Sequence, residues 1–102
     1  MKILWTLPSL EDVESIREYI ARDSEVYATA FVEKIVLAVE RLASLPNIGR
    51  KVLEAEDPDV RELIFHNYRI IYRIRGKEIQ IVAIIHAARD LNLLPEKPWE
   101  IF

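Results

Sequence analysis

The sequence predicts a two-layer α+β domain: an N-terminal strand and an antiparallel helical hairpin packed on one face of an antiparallel β-sheet. Three observations lead there. Residues 60–90, VRELIFHNYRIIYRIRGKEIQIVAIIHAARD, hold three β-type runs with little chain between them: Val60–Phe65, Tyr68–Arg75 and Glu78–His86. Ahead of them lie two stretches whose apolar residues recur every three or four positions, the pattern of helices with one buried stripe. The links within each set are only a few residues long, so the helices must fold back on each other and the strands must form a meander.

Taken in order, Lys2–Thr6 is short, apolar and β-prone, and Pro8 ends it. Ser9 is a candidate helix N-cap, with Asp12 three residues on and Glu11 and Glu14 where the helix dipole favours negative charge. Leu10, Val13, Ile16 and Ile20 form the apolar stripe of a helix running to about residue 21. Asp23-Ser24 offers a second cap, and Tyr27, Phe31, Ile35, Ala38 and Leu42 mark the buried side of a second helix that ends before Pro46. Leu45-Pro46-Asn47-Ile48-Gly49 reads as a turn, Arg50–Glu54 as extended chain, and Glu56-Asp57-Pro58-Asp59 as a solvated loop. His66-Asn67 and Arg75-Gly76-Lys77 are the tight reversals of the meander, Gly76 being free to take positive φ. Pro95 and Pro98 keep the end of the chain from forming a long helix, so residues 95–102 read as a tail whose Trp99, Ile101 and Phe102 fold back or meet a partner.

The 102 residues fit one domain, 1–102, and at 51% hydrophobic and 30% charged the composition is that of a globular protein. There is no cysteine, and no apolar run approaches membrane-spanning length, so a cytoplasmic protein with no membrane partner is expected. No glycine-rich phosphate loop, metal-ligand spacing or Ser/His/Asp order is present; no cofactor and no metal are expected.

Charge is unevenly spread. The net charge is -3, but residues 61–89 carry six basic residues against two acidic ones. In Tyr68–Arg75 strict alternation puts Tyr68, Ile70, Tyr72 and Ile74 on one face and Arg69, Ile71, Arg73 and Arg75 on the other. In the last strand it groups Ile79, Ile81, Ala83 and Ile85 against Gln80, Val82, Ile84 and His86. The expectation is a sheet with its tyrosine face under the helices and an open cationic face on which Arg69, Arg73 and His86 point the same way. A ribonuclease could draw on Arg61, Arg69, His86 and Arg89, arginines holding a phosphodiester and histidine moving a proton. The plainer account gives Arg69 an acidic partner such as Glu62, leaves Arg73, Arg75 and Lys77 solvated, and makes His86 a hydrogen-bonded structural residue.

The order Leu45-Pro46-Asn47-Ile48-Gly49-Arg50, Val52 and Glu54, Arg61-Glu62-Leu63, Tyr68-Arg69-Ile70-Ile71-Tyr72 and His86-Ala87-Ala88-Arg89-Asp90 resembles the ParE/RelE superfamily, toxins of type II toxin–antitoxin modules. The resemblance covers nearly the whole chain. It implies a toxin held inactive by a cognate antitoxin in a hetero-oligomer, of the kind associated with plasmid stabilisation. It implies one of two targets: DNA gyrase for ParE-like members, which are not nucleases, or ribosome-bound mRNA for RelE-like endoribonucleases. A toxin-like domain that only binds antitoxin is a third possibility. Arg61, Arg69 and Arg89 match basic positions of the RelE-like pattern, and with His86 they would be catalytic only in a ribonuclease. Leu63 stands where that pattern has a second lysine, and no tyrosine follows Tyr72. The remaining signposts favour ParE-like.

Overall fold

The computed structural model describes residues 1–101, with Ile101 described by its backbone alone. Phe102 and the side chain of Ile101, named above as part of the tail, lie outside the described residues. The chain runs β1 (Lys2–Trp5), α1 (Leu7–Ala21), α2 (Glu25–Glu40), a 3-10 turn at Arg41–Ala43, β2 (Arg50–Lys51), β3 (Val60–Phe65), β4 (Tyr68–Arg75), β5 (Glu78–His86), a second 3-10 turn at Leu91–Leu93 and α3 (Pro98–Ile101). The three strands of the meander have the predicted bounds. One five-stranded sheet forms in the order β1-β5-β4-β3-β2. Its pairs are antiparallel except for β1, which lies parallel to β5 at an edge. The helical hairpin carries the chain from that edge to the opposite one, where β2 enters.

The first helix begins two residues before the expected cap. Thr6 is the N-cap: its Oγ1 accepts from the Ser9 amide at 3.3 Å and donates to the Ile81 carbonyl at 2.7 Å. Pro8 sits in the first turn, where a missing N–H costs nothing. The buried Ser9 hydroxyl donates back to the Thr6 carbonyl at 2.7 Å. Of the expected pair Asp23-Ser24, Ser24 caps α2, accepting from the Tyr27 amide. Of the two predicted stripes, Ile16, Phe31, Ile35 and Leu42 are buried, while Leu10 and Tyr27 are exposed. Ala28 and Val39 complete the buried side of α2.

Beneath the helices the core joins Ile16, Phe31, Ile35, Val39 and Leu42 to Ile70, Tyr72, Ile79, Ile81 and Ile84. Tyr68 and Tyr72 face the helices as predicted. The far face departs from expectation. Val60, Ile71, Val82, Ala83 and Ile85 form a second core there, under Val52, Leu91 and Trp99. The expected open cationic face is therefore largely sealed, because five aliphatic side chains project from it and burying apolar surface stabilises by about 25 cal/mol per Å².

One irregularity sets which β5 residues enter each core. The β4–β5 register advances from Ile71↔Ala83 to Tyr72↔Ile81, leaving Val82 as an extra residue on β5. Such a bulge reverses the in–out alternation beyond it. Ile79, Ile81 and Ile84 accordingly share the helix side, and Val82, Ala83 and Ile85 share the far side. The predicted grouping of Ile81 with Ala83 and Ile85, and of Val82 with Ile84, is corrected on this account.

Candidate functional site

The bulge decides where the candidate residues go. Arg69 lies opposite Ile85, in the far layer; His86 lies opposite Tyr68, in the helix layer, with ring centroids 5.6 Å apart. The two residues expected side by side are thus on opposite faces. His86 accepts from the Ala88 amide through Nδ1 at 3.1 Å, a hydrogen bond local to the turn. Arg61 pairs in register with Tyr72 on the helix side, and its Nη1 donates to the Gly49 carbonyl at 2.8 Å. Arg89, past the end of β5, lines a separate apolar cleft with Asp12, Leu7, Val82 and Ile85. The four side chains do not converge on one point.

Arg69 is instead the centre of an ion network. Its Nη1 and Nη2 each donate to one oxygen of Glu54 at 3.0 Å, and Nε and Nη2 donate to Glu62 Oε2. Glu62, 2% exposed, also accepts from Nε and Nη2 of Arg50 through its other oxygen, at 3.1 and 3.0 Å. The hydrogen bonds from Arg69 hold the Glu54 carboxyl below its ordinary range, and those to Glu54 and Glu62 hold the Arg69 guanidinium above its own. The network floors a groove of about 860 Å³ whose walls include Leu53, Ile64 and Asn92. A guanidinium this engaged has little left for a phosphate. The acidic partner foreseen for Arg69 is present, and Glu54 adds a second.

Arg73 corrects the reading of a solvated side chain. It is buried, with Nη1 on the Trp99 carbonyl at 3.0 Å and Nε and Nη2 on Gln80 Oε1 at 3.2 and 3.1 Å. The end of the chain folds over it, and desolvation lowers its pKa. Arg75 remains exposed.

Several signposts have structural explanations. The buried Tyr72 hydroxyl donates to the Pro46 carbonyl at 2.8 Å and accepts from the Gly49 amide at 3.0 Å. A Cβ on Gly49 would stand 2.5 Å from that hydroxyl and 2.7 Å from the Glu62 carbonyl, so only glycine fits. Pro46, Gly49 and Tyr72 therefore work as one latch between the turn and the sheet. Asp12, expected beside the Ser9 cap, has a longer reach: its Oδ2 accepts from the Ile84 amide at 2.9 Å, just beyond the bulge. Burial raises its pKa, opposed by that bond and by the Arg89 charge. No local signal in the sequence pointed to this long-range role.

Among the described residues no three His, Asp or Glu gather as a metal site, and no helix is long and apolar enough to cross a membrane. The fold and this site define a class: a small α+β domain with a helical hairpin over a meander, its Arg50, Arg61 and Arg69 held by acids or a carbonyl. The chain belongs to the family of ParE toxins of type II toxin–antitoxin systems, whose model matches residues 3–91. It is 34% identical over 88 residues to "Putative toxin Y4kP" of Sinorhizobium fredii, covering 84% of this chain and 88% of that one. It is 33% identical over 89 residues to "Toxin RelE2" of Caulobacter vibrioides, covering 86% and 97%. A solved chain of the chromosomal ParDE system from P. aeruginosa superposes with a TM-score of 0.71 at 30% identity, covering 84% of this chain and 95% of its own. The chain is a toxin of the type II class.

Proposed function

We propose that this toxin acts by binding DNA gyrase rather than by cutting RNA, and that a cognate antitoxin holds it inactive until then. The observation that carries the reading is the state of Arg69: bidentate to Glu54, bonded to Glu62, and on the opposite face from His86. A ribonuclease needs cations free to meet the charge that develops on phosphate, with a proton carrier beside them. Membership of the ParE family supports the gyrase target, and the likeness to a ParDE component supports the antitoxin. The relative named RelE2 favours the second reading, an mRNA endoribonuclease.

One pair of assays separates them. Purified protein is added to gyrase with relaxed plasmid, and separately to a translation extract programmed with a defined mRNA. The expected outcome is inhibited supercoiling and intact mRNA. Codon-linked cuts that disappear with Arg69→Ala or Arg89→Ala, together with unimpaired gyrase, would reverse the assignment.

A further inference from the structure

Beyond the target of the toxin, we propose that the edge formed by β2 and the start of β3 is a docking surface for an acidic peptide segment carrying aliphatic side chains, with Lys51 and Arg61 taking its carboxylates. The register sets Lys51 directly opposite Arg61. Like charges at such a position repel, and an acidic neighbour normally relieves them. Here neither makes an ion pair among the described residues, and of the carboxylates that line the groove beside Lys51, Glu54 and Glu62 are already held by Arg69. The next pair of the same two strands shows the usual solution, Arg50 opposite Glu62 and bonded to it. One side of this short ladder is neutralised and the other is a pair of cations.

Arg61 is also set in place. Its Nη1 rests on the Gly49 carbonyl at 2.8 Å, and that carbonyl belongs to the turn latched by Tyr72. Its remaining donors need no further ordering to meet a carboxylate, which favours binding. Lys51 is exposed at the sheet edge. Directly before this ladder, Leu45 and Ile48 are 49% and 43% exposed in a turn closed by a backbone bond between them, 3.1 Å from the Ile48 amide to the Leu45 carbonyl. Aliphatic surface next to a cation pair complements a segment with Asp or Glu beside Leu or Ile. A nucleic acid fits less well. It needs a row of cations along its phosphates, whereas the nearest further arginine, Arg50, already holds Glu62, and the whole protein is net negative.

The test titrates the intact protein with three fluorescent probes at low and moderate salt. They are a short Glu/Leu peptide, the same peptide with Gln for Glu, and a single-stranded oligonucleotide of the same charge as the first. The expected result is that the Glu/Leu peptide binds most tightly and weakens with salt. Lys51→Glu should cut its affinity at least about tenfold while leaving the melting temperature in place, and Lys51→Arg should retain it. Arg61→Gln is the second variant, read by amide shifts at residues 48–51 in case its loss loosens the turn. Absence of binding, equal binding of the Gln peptide, tighter binding of the oligonucleotide, or an unaffected Lys51→Glu variant each overturns the proposal. Neither gyrase nor ribosomes enter the experiment, so its failure and that of the proposed target are told apart.

Discussion

Ile70 and Ile71 are neighbours on β4, both fully buried, and they belong to layers built differently. Ile70 lies in a large apolar core roofed by two long helices. Ile71 lies in a smaller one roofed by a loop, a 3-10 turn and one turn of helix, and bordered by Arg69, Glu62 and Arg73. The helix side is closed by regular secondary structure whose apolar stripes repeat in the sequence. The far side is closed by irregular chain, and its charges are buried only because they are paired. Two covered faces of one sheet can thus arise from quite different physics.

The largest expected effect tests the charged border. Glu62→Ala leaves Arg50 and Arg69 without their shared carboxylate, and removing one member of a buried pair costs about 3–5 kcal/mol. Urea denaturation should show it as a lower midpoint at unchanged slope; a loss within error would mean that water already solvates the network.

Next comes the direct comparison. Ile70→Ala and Ile71→Ala should each cost about 2–5 kcal/mol if both faces are packed cores. A cost for Ile71→Ala below about 1 kcal/mol would show a far face that repacks or opens.

Gly49→Ala sharpens the latch between turn and sheet. The added methyl must displace the Tyr72 hydroxyl or the β3 backbone, at a cost of about 1–3 kcal/mol. Gly49→Ala combined with Tyr72→Phe should recover part of that loss, because the closest clashing atom is then absent.

The smallest effect concerns pH. The Glu54 carboxyl is lowered in the folded protein from its ordinary value of 4.5. Its contribution to stability is therefore complete above that value and lost as the pH falls through the folded pKa. Asp12, raised by burial, has the opposite sign: its ionisation weakens the fold as the pH rises above 3.8. Stability curves of the parent and of Glu54→Gln should converge below the folded pKa of Glu54 and separate above it. Parallel curves throughout would remove Glu54 from the network in solution.

Much of this molecule was legible in the chain. The strand bounds of the meander, the Ser24 cap, the positive φ at Gly76 and the side taken by Tyr68 and Tyr72 all follow from local pattern. Local pattern also misled where two readings were equally well formed. Thr6 outcompeted Ser9 as cap because its hydroxyl also reaches Ile81, a residue 75 positions away. Arg73 read as solvated because nothing near it in sequence announces that the Trp99 carbonyl will cover it. For the site, an acidic partner for Arg69 was foreseeable from Glu62 on the adjacent strand. Glu54, on an irregular stretch with no periodicity to orient it, was not.

Composition and periodicity alone determined an α+β domain with a helical hairpin over a meander, and the order of signposts along the chain pointed to its superfamily. Which residues meet was decided only in the folded sheet. The run IQIVAII in β5 is apolar at nearly every position, so no polar residue marks where the alternation slips, and the bulge at Val82 carries no glycine or proline to announce it. One unpaired residue turned His86 away from Arg69. Strand periodicity is a local property, whereas its phase across a sheet is set by the partner strand.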